Sequence, residues 1–203
     1  MDTKGTRQKK KIRVGTLAYG DKYDSWWQDN FKYMIDKYSN IEYDEFVIVS
    51  SDLYGNWYNK LQMYDIYKDG QNLYFDLDVV IFGELKNMVK QNFTLLDDSW
   101  WREPAHTPLN SSIVSWTGDV SYIWKKFKSN EDYYLKRYNK GSDEFYYHEI
   151  INYETYPNIC PSIKDHMYIR PKDYNICTLG QMHHVLEEGW TGWYSNYFLP
   201  QKS

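Results

Sequence analysis

Three short apolar runs, residues 12–18, 45–50 and 73–82, are separated by two stretches whose large apolar residues recur at helical spacing. In the first of these stretches Trp27, Phe31, Met34, Ile35 and Tyr38 fall on one helix face, with Asp24 or Ser25 placed to cap it. In the second, Trp57, Leu61 and Tyr64 mark another helix, and Asp69-Gly70 breaks the chain behind it. This β-α-β-α-β order predicts an α/β fold built on a parallel sheet, because strands joined through a crossover helix return in the same direction. Ligands of such sheets bind beyond the carboxyl ends of the strands.

The third run reads Leu-Tyr-Phe-Asp-Leu-Asp-Val-Val-Ile-Phe and carries two carboxylates, Asp76 and Asp78. So apolar a run predicts a buried central strand, where lone carboxylates are disfavoured. Side chains alternate along a strand, which puts Asp76 and Asp78 on one face with Leu77 pointing away. Two like charges this close repel unless a proton or cation sits between them. One reading is therefore a site for Mn²⁺ or Mg²⁺, hard cations that take oxygen ligands and keep open positions for phosphate oxygens. A second is a resemblance of Asp-x-Asp-x-Val to the first motif of haloacid-dehalogenase-type phosphatases, with Asp76 as nucleophile and Asp78 as general acid. Those enzymes place the motif on their first strand, whereas here a whole β-α-β-α precedes it. A third is a pair of strand-end carboxylates matched by Lys or Arg.

The second half of the chain is less regular. Short strands are expected at 93–96, 112–116, 167–170 and 175–179, and helices at 120–127, 131–138 and after Gly141. With 203 residues, no internal repeat and no linker rich in Pro, Gly or Ser, one domain over 12–203 behind a disordered basic tail over 1–11 is the economical organisation. The basic residues from Lys4 to Arg13 read as a solvated terminus, and a net charge of −4 argues against nucleic-acid binding. No stretch is long and apolar enough for a membrane span. Two cysteines, Cys160 and Cys177, make no disulfide framework, so a reducing cytoplasmic setting is expected, that of the host for a viral protein. The 22 Tyr, 9 Trp and 8 Phe carry much of the apolar area of a chain whose mean hydropathy is −0.79. Such amphipathic rings suit a core or a sugar-binding wall. Trp100, Trp101, Trp190 and Trp193 could form an acceptor-sugar platform, and an aromatic-rich carbohydrate-binding module without catalysis is the rival reading from another class.

Several segments, in order along residues 12–190, resemble GT-A glycosyltransferases, both the glycogenin-like group and small bacterial and viral enzymes. Thr16-Leu17-Ala18-Tyr19-Gly20-Asp21-Lys22-Tyr23 is similar to their nucleotide-binding first strand and turn. Asn56-Trp57-Tyr58-Asn59-Lys60-Leu61 resembles their Gly-Trp-Trp-Ser-Lys-Leu segment, and the Asp76-Leu77-Asp78 strand follows in the family position. Asn110-Ser111-Ser112 resembles the strand that borders the donor sugar, and Gly141-Ser142-Asp143-Glu144 the Gly-Asp-Gln element. The resemblance implies a GT-A fold, a mixed and mostly parallel sheet flanked by helices. It also implies a metal-dependent transfer of sugar from a UDP-sugar donor to a carbohydrate or glycoprotein acceptor, with retention of configuration.

Carried over on that resemblance, Thr16, Leu17, Ala18, Tyr19 and Tyr23 line the nucleoside and Asp52 lies near the base or ribose. Lys60 sits by the donor phosphates or sugar, and Asn110, Ser111 and Ser112 hydrogen-bond the sugar. Asp143 binds a donor-sugar hydroxyl or lies at the reacting face. Asp76 and Asp78 hold the metal, with Leu77 between them at the cofactor. The late segment departs from the family's His-x-x-Gly-x-x-Lys element: aligning on Gly180 puts Cys177 at the third metal-ligand position and His183 at the phosphate-binding lysine. A thiolate is a soft ligand and an odd partner for Mn²⁺ or Mg²⁺. The alternatives are that Cys177 is a buried apolar residue and that His183 or His184 supplies the ligand.

Overall fold

The computed structural model describes residues 11–21, 23–97, 107–157, 159, 174–178 and 196–199. The three apolar runs form the centre of a sheet. Strands β1 (Ile12–Leu17), β2 (Glu45–Val49) and β3 (Gln71–Phe75) lie parallel, with β1 between the other two. Beyond β3 come β6 (Leu109–Thr117), β5 (Thr94–Asp97) and β7 (Glu154–Pro157), giving the order β2-β1-β3-β6-β5-β7. Among these strands β6 runs against the rest, pairing antiparallel with both β3 and β5, while β5 and β7 are parallel. The sheet is thus mixed and mostly parallel, as expected, with β7 an edge strand that the pattern of the sequence did not reveal.

The run 73–82 is not one strand. β3 stops at Phe75, residues 77–78 turn, and β4 (Val79–Ile81) joins a separate two-stranded sheet with β8 (Ile176–Thr178). Both halves are fully buried, which is why a continuous apolar run hides the break.

Helix α1 (Ser25–Tyr38) forms where its spacing places it, and the Asp24 carboxylate accepts from Trp26 N at 3.0 Å as the N-cap. It lays Trp27, Phe31, Met34 and Ile35 on the face of the sheet that carries Val14, Leu73 and Phe75, where β4 and β8 complete the layer. The second expected helix is a 3-10 helix (Trp57–Gln62) running into a single turn, α2 (Met63–Ile66). Residues 58–64 are all buried, so this segment has no exposed face to set a 3.6 period. It packs on the opposite face of the sheet with α3 (Tyr122–Lys128), α4 (Glu131–Arg137) and α5 (Ser142–Glu149). Much of the chain's aromatic content is spent there: Tyr58, Tyr64, Tyr74, Trp116, Phe127, Phe145 and Tyr146 are all buried. Their polar tips find partners, Tyr64 and Tyr146 sharing a 2.8 Å hydroxyl contact and Trp116 Nε1 donating to Tyr67 O at 3.1 Å.

Arg13 corrects the reading of the basic cluster. It is buried in β1, donates to Glu45 at 2.9 Å and Asn72 at 2.5 Å, and stacks its guanidinium 4.3 Å from the Tyr67 ring. Its fork is satisfied from three neighbouring elements through Glu45, Asn72 and Asp69, which offsets the cost of burying it. Among the described residues no helix is long and apolar enough to cross a membrane.

Two predictions follow from this packing. Phe31 lies between Phe46 and Phe75, with ring centroids 5.9 and 5.6 Å away, so Phe31→Ala is expected to cost about 3–5 kcal/mol in urea unfolding. A loss below about 1 kcal/mol would contradict the packing. Burial raises the phenols of Tyr64, Tyr74 and Tyr146 above the ordinary tyrosine value. Their neutral forms therefore contribute stability that is fully present below the unfolded value of about 10 and is lost as pH rises toward the folded values. Melting temperature should hold up to about pH 10 and then fall.

Candidate functional site

The carboxyl ends of β1, β2 and β3 meet at one edge of the sheet. Ala18 N donates to Val49 O at 2.9 Å, extending the β1–β2 pairing one residue past the strands, and the chain then turns through Tyr19 and Gly20 toward Tyr23. At the end of β3, Asp76 N still donates to Ser112 O at 2.8 Å, so Asp76 leaves the sheet from a fixed point. Leu77 turns into the core and is 3% exposed. That plug forces the flanking residues Asp76 and Asp78 to the rim, although they do not share a strand face as the alternation suggested. The Leu77 side chain itself is thereby unavailable as a lining group.

The acidic pair acts on its surroundings. Burial first, and then the charges of Asp78 and Asp76, push the Tyr23 phenol well up. Tyr19 is raised by burial, then by Asp76, Asp52 and Asp78. The two tyrosines, which the family resemblance expects at a nucleoside, sit in the field of the acidic pair, held as neutral phenols. Asp52 is exposed and organises its own loop: its Oδ1 accepts from Gly55 N at 2.6 Å and Asn59 Nδ2 at 2.8 Å, which holds the carboxyl below its ordinary value. Thr16 and Leu17 are buried in the two opposite sheet faces, and Ala18 in the α1 face. The Thr16 hydroxyl is a buried group without a hydrogen-bond partner among the described residues.

Lys60 joins the parts. Its Nζ donates to Asp76 Oδ1 at 2.8 Å, to Ser111 O at 3.1 Å and to Ser111 Oγ at 3.1 Å, and the residue is 3% exposed. An ammonium has three protons, and here all three are used. Tyr74 lies under the same ammonium, its ring centroid 5.1 Å away, and its hydroxyl donates to the same Asp76 Oδ1. Asp76 Oδ2 stays outside this network. Ser111 passes the connection on: its Oγ donates to Asp143 Oδ1 at 2.5 Å and its N to the same oxygen at 3.0 Å. Asp143 lies in the first turn of α5, where the free amides favour a carboxylate. Asn110 supports the strand end by accepting from Ser112 N at 2.8 Å.

The structure thus brings together Asp76, Asp78, Tyr19, Tyr23, Lys60, Ser111 and Asp143. It changes the expected part of Lys60, whose committed ammonium has no proton left for a phosphate. Tyr74 was missed, although it stands two residues before Asp76 and so on the same strand face. Cys177 sits in the apolar core opposite Val80, and burial pushes its thiol well up, so it is a packing residue and no ligand. β8 runs antiparallel to β4 and ends with Thr178 opposite Val79. His183 and His184, like Lys22, Trp100, Trp101, Trp190, Trp193 and the strand expected at 167–170, lie outside the described residues.

The donor set suits a hard divalent cation in kind: two carboxylates at one rim, each with oxygen donors. Among the described residues no group of three His, Cys, Asp or Glu side chains completes a metal cluster.

No family model matches the chain, and no curated protein sequence is significantly similar to it. Solved structures are. A glycosyltransferase involved in glycosylation of the major capsid of PBCV-1 superposes with a TM-score of 0.64 at 13% identity, covering 88% of this chain and 98% of that one. The galactosyltransferase LgtC, solved with donor and acceptor sugar analogues, gives 0.62 at 9% identity, covering 93% and 98%. The glycosyltransferase GlyE of Streptococcus pneumoniae gives 0.57 at 13% identity, and this chain spans 62% of its length. The fold is that of the GT-A glycosyltransferases.

Replacing Lys60 by Met would leave Asp76 Oδ1 with the Tyr74 hydroxyl alone and take the ammonium from the Ser111 carbonyl. Lys60→Met is expected to lose about 1–3 kcal/mol in chemical denaturation, and a variant as stable as the parent would show that the ammonium does not hold these elements.

Proposed function

We propose that the protein is a metal-dependent glycosyltransferase that moves a sugar from a UDP-sugar to a carbohydrate or glycoprotein acceptor, with retention of configuration. The observation that carries this reading is the meeting of Asp76 and Asp78, at the carboxyl edge of a GT-A sheet, with Asp143 through the Lys60–Ser111 bridge. In a phosphatase of the haloacid-dehalogenase type the two aspartates would stand after the first strand, which this topology does not match.

In this reading Asp76 and Asp78 hold Mn²⁺ or Mg²⁺, with His184 or His183 as a further ligand. When bound, the cation offsets charge on the departing diphosphate. The protein's own groups prepare the site. Lys60 and Tyr74 take up Asp76 Oδ1 and fix the carboxylate's orientation, which directs Oδ2 to the ligand side without a search through rotamers. Tyr19 and Tyr23 wall the nucleoside as neutral rings, so they add surface and hydrogen bonds without adding negative charge beside a diphosphate. Asp52 and the amides it orders face the ribose. Asp143, Asn110 and Ser112 face the donor sugar, and the double contact from Ser111 fixes the Asp143 carboxylate in place as an acceptor for a sugar hydroxyl.

Titration calorimetry with UDP tests this reading. Binding should require Mn²⁺ and vanish with chelator, and Asp76→Ala and Asp78→Ala should each abolish Mn²⁺-dependent hydrolysis or transfer of UDP-sugars. Unchanged turnover in either variant would sink the proposal. Binding of sugar alone, indifferent to chelator, would point to a carbohydrate-binding module instead.

A further inference from the structure

A second concavity, lined by residues that take no part in the acidic site, has its own chemistry. It has a volume of about 460 Å³ and opens between the 53–58 loop and α4. This is within the size range of small-molecule sites, roughly 300–1,000 Å³. We propose that this cleft is a second carbohydrate site, which binds a segment of an oligosaccharide away from the reacting sugar.

Its floor is apolar and exposed. Trp57 is 47% exposed and Leu53 57%, and Tyr54 and Leu135 extend the surface. Large apolar side chains left in water at a concave surface mark a binding site more often than a random patch does. Its edge is polar. Asn139 has no hydrogen-bond partner among the described residues, Asn56 uses Oδ1 for the Tyr58 amide and keeps its amide N–H groups, and Glu131 engages one carboxylate oxygen and keeps the other. Flat apolar rings below and hydrogen-bonding groups at the side match a pyranose, whose C–H face is apolar and whose hydroxyls lie at its rim. The Glu131 carboxylate is ion-paired with Lys128, so the edge carries no uncompensated charge and its second oxygen accepts from hydroxyls, which suits a neutral sugar.

The floor is also rigid. Trp57 packs on Gly141 so closely that a Cβ there would stand 2.8 Å from its Nε1, and Gly141 has a φ of 130°. Leu53 N and Tyr54 N both donate to Asn59 Oδ1, at 2.7 and 3.1 Å, which fixes the loop that carries them. Tyr54 OH donates to Glu131 at 3.1 Å, joining the loop to α4. A preformed platform loses little side-chain entropy on binding, the condition under which weak sugar contacts add up. Tyr58, which lines the cleft, donates its hydroxyl to Tyr138 O at 2.8 Å and Gly141 O at 3.2 Å, and the cleft shares no lining residue with the group gathered at Asp76 and Asp78. The two sites are therefore separable by mutation. The choice of a carbohydrate ligand leans on the glycosyltransferase reading, but binding at the cleft needs no transfer.

The test uses the full chain on a printed array of animal, plant and microbial glycans, with Trp57→Ala, Asn139→Arg and Asp76→Asn beside the parent. Asn139→Arg places a long cation at the exposed edge and touches no core group, so it decides the matter if Trp57→Ala melts. Expected is capture of glycan by the parent, at least tenfold loss in both cleft variants, retention in Asp76→Asn, and unaltered UDP titration in Asn139→Arg. Capture of no glycan by the parent overturns the proposal. So does loss in Asp76→Asn with retention in the cleft variants, which would place the glycan at the acidic pair. Glycan capture through the cleft by a protein that binds no UDP would uphold this inference while the proposed function failed.

Discussion

The buried ammonium of Lys60 is the constraint on which the site depends. Removing a charge from water is costly, and only a full set of partners offsets the loss. Lys60 meets that demand from three directions at once, through the carboxylate at the end of β3 and the carbonyl and hydroxyl of Ser111 on β6. Because Ser111 also holds Asp143, the same cation indirectly fixes the start of α5. Three elements far apart in sequence are thereby registered to one atom. A carboxylate that is held by two donors on one oxygen, as Asp76 is by Lys60 and Tyr74, presents its second oxygen in one orientation.

The aromatic residues explain how a chain of low mean hydropathy sustains this arrangement. One face of the sheet is packed by α1, β4 and β8 with mainly aliphatic groups and phenylalanine, the other by the short helices with tyrosine and tryptophan. Amphipathic rings can fill a core whose helices are too short to present long apolar stripes, provided each polar tip reaches a partner. Tyr58, Tyr64 and Trp116 all do so. Where this aromatic layer reaches the surface, at Trp57 and Tyr54, it forms the floor of the second cleft.

Much of this could be read along the chain. The helical spacing of Trp27, Phe31, Met34 and Ile35 and the apolar runs about Val14, Val47 and Leu73 are local patterns, and α1 and the first three strands formed where those patterns lie. The break at Leu77 was hidden because both β3 and β4 are buried, and a buried run has no periodicity to show a change of direction. The 3-10 helix was hidden for the same reason. Strand β7 is four residues, alternates weakly and ends in Pro157, an edge-strand pattern with little signal. Arg13 reads as part of a charged terminus until its partners Glu45, Asn72 and Asp69 arrive from other strands.

What the sequence determined by itself is the α/β layering, the placing of Asp76 and Asp78 within the third apolar run, and the likeness of ordered motifs to the GT-A fold. These rest on local alternation and on order along the chain. What the tertiary structure alone decided is how the motifs serve one another. Lys60 looks like a free cation for a phosphate when read in its own segment. Folding brings it three acceptors, and its protons are used. Cys177 stands at a ligand position by spacing, yet its strand turns the thiol into the core. The physical reason is common to both. Hydrogen-bond saturation and burial are properties of a residue's neighbours in space, and those neighbours lie 16 and 51 residues from Lys60 and 97 residues from Cys177.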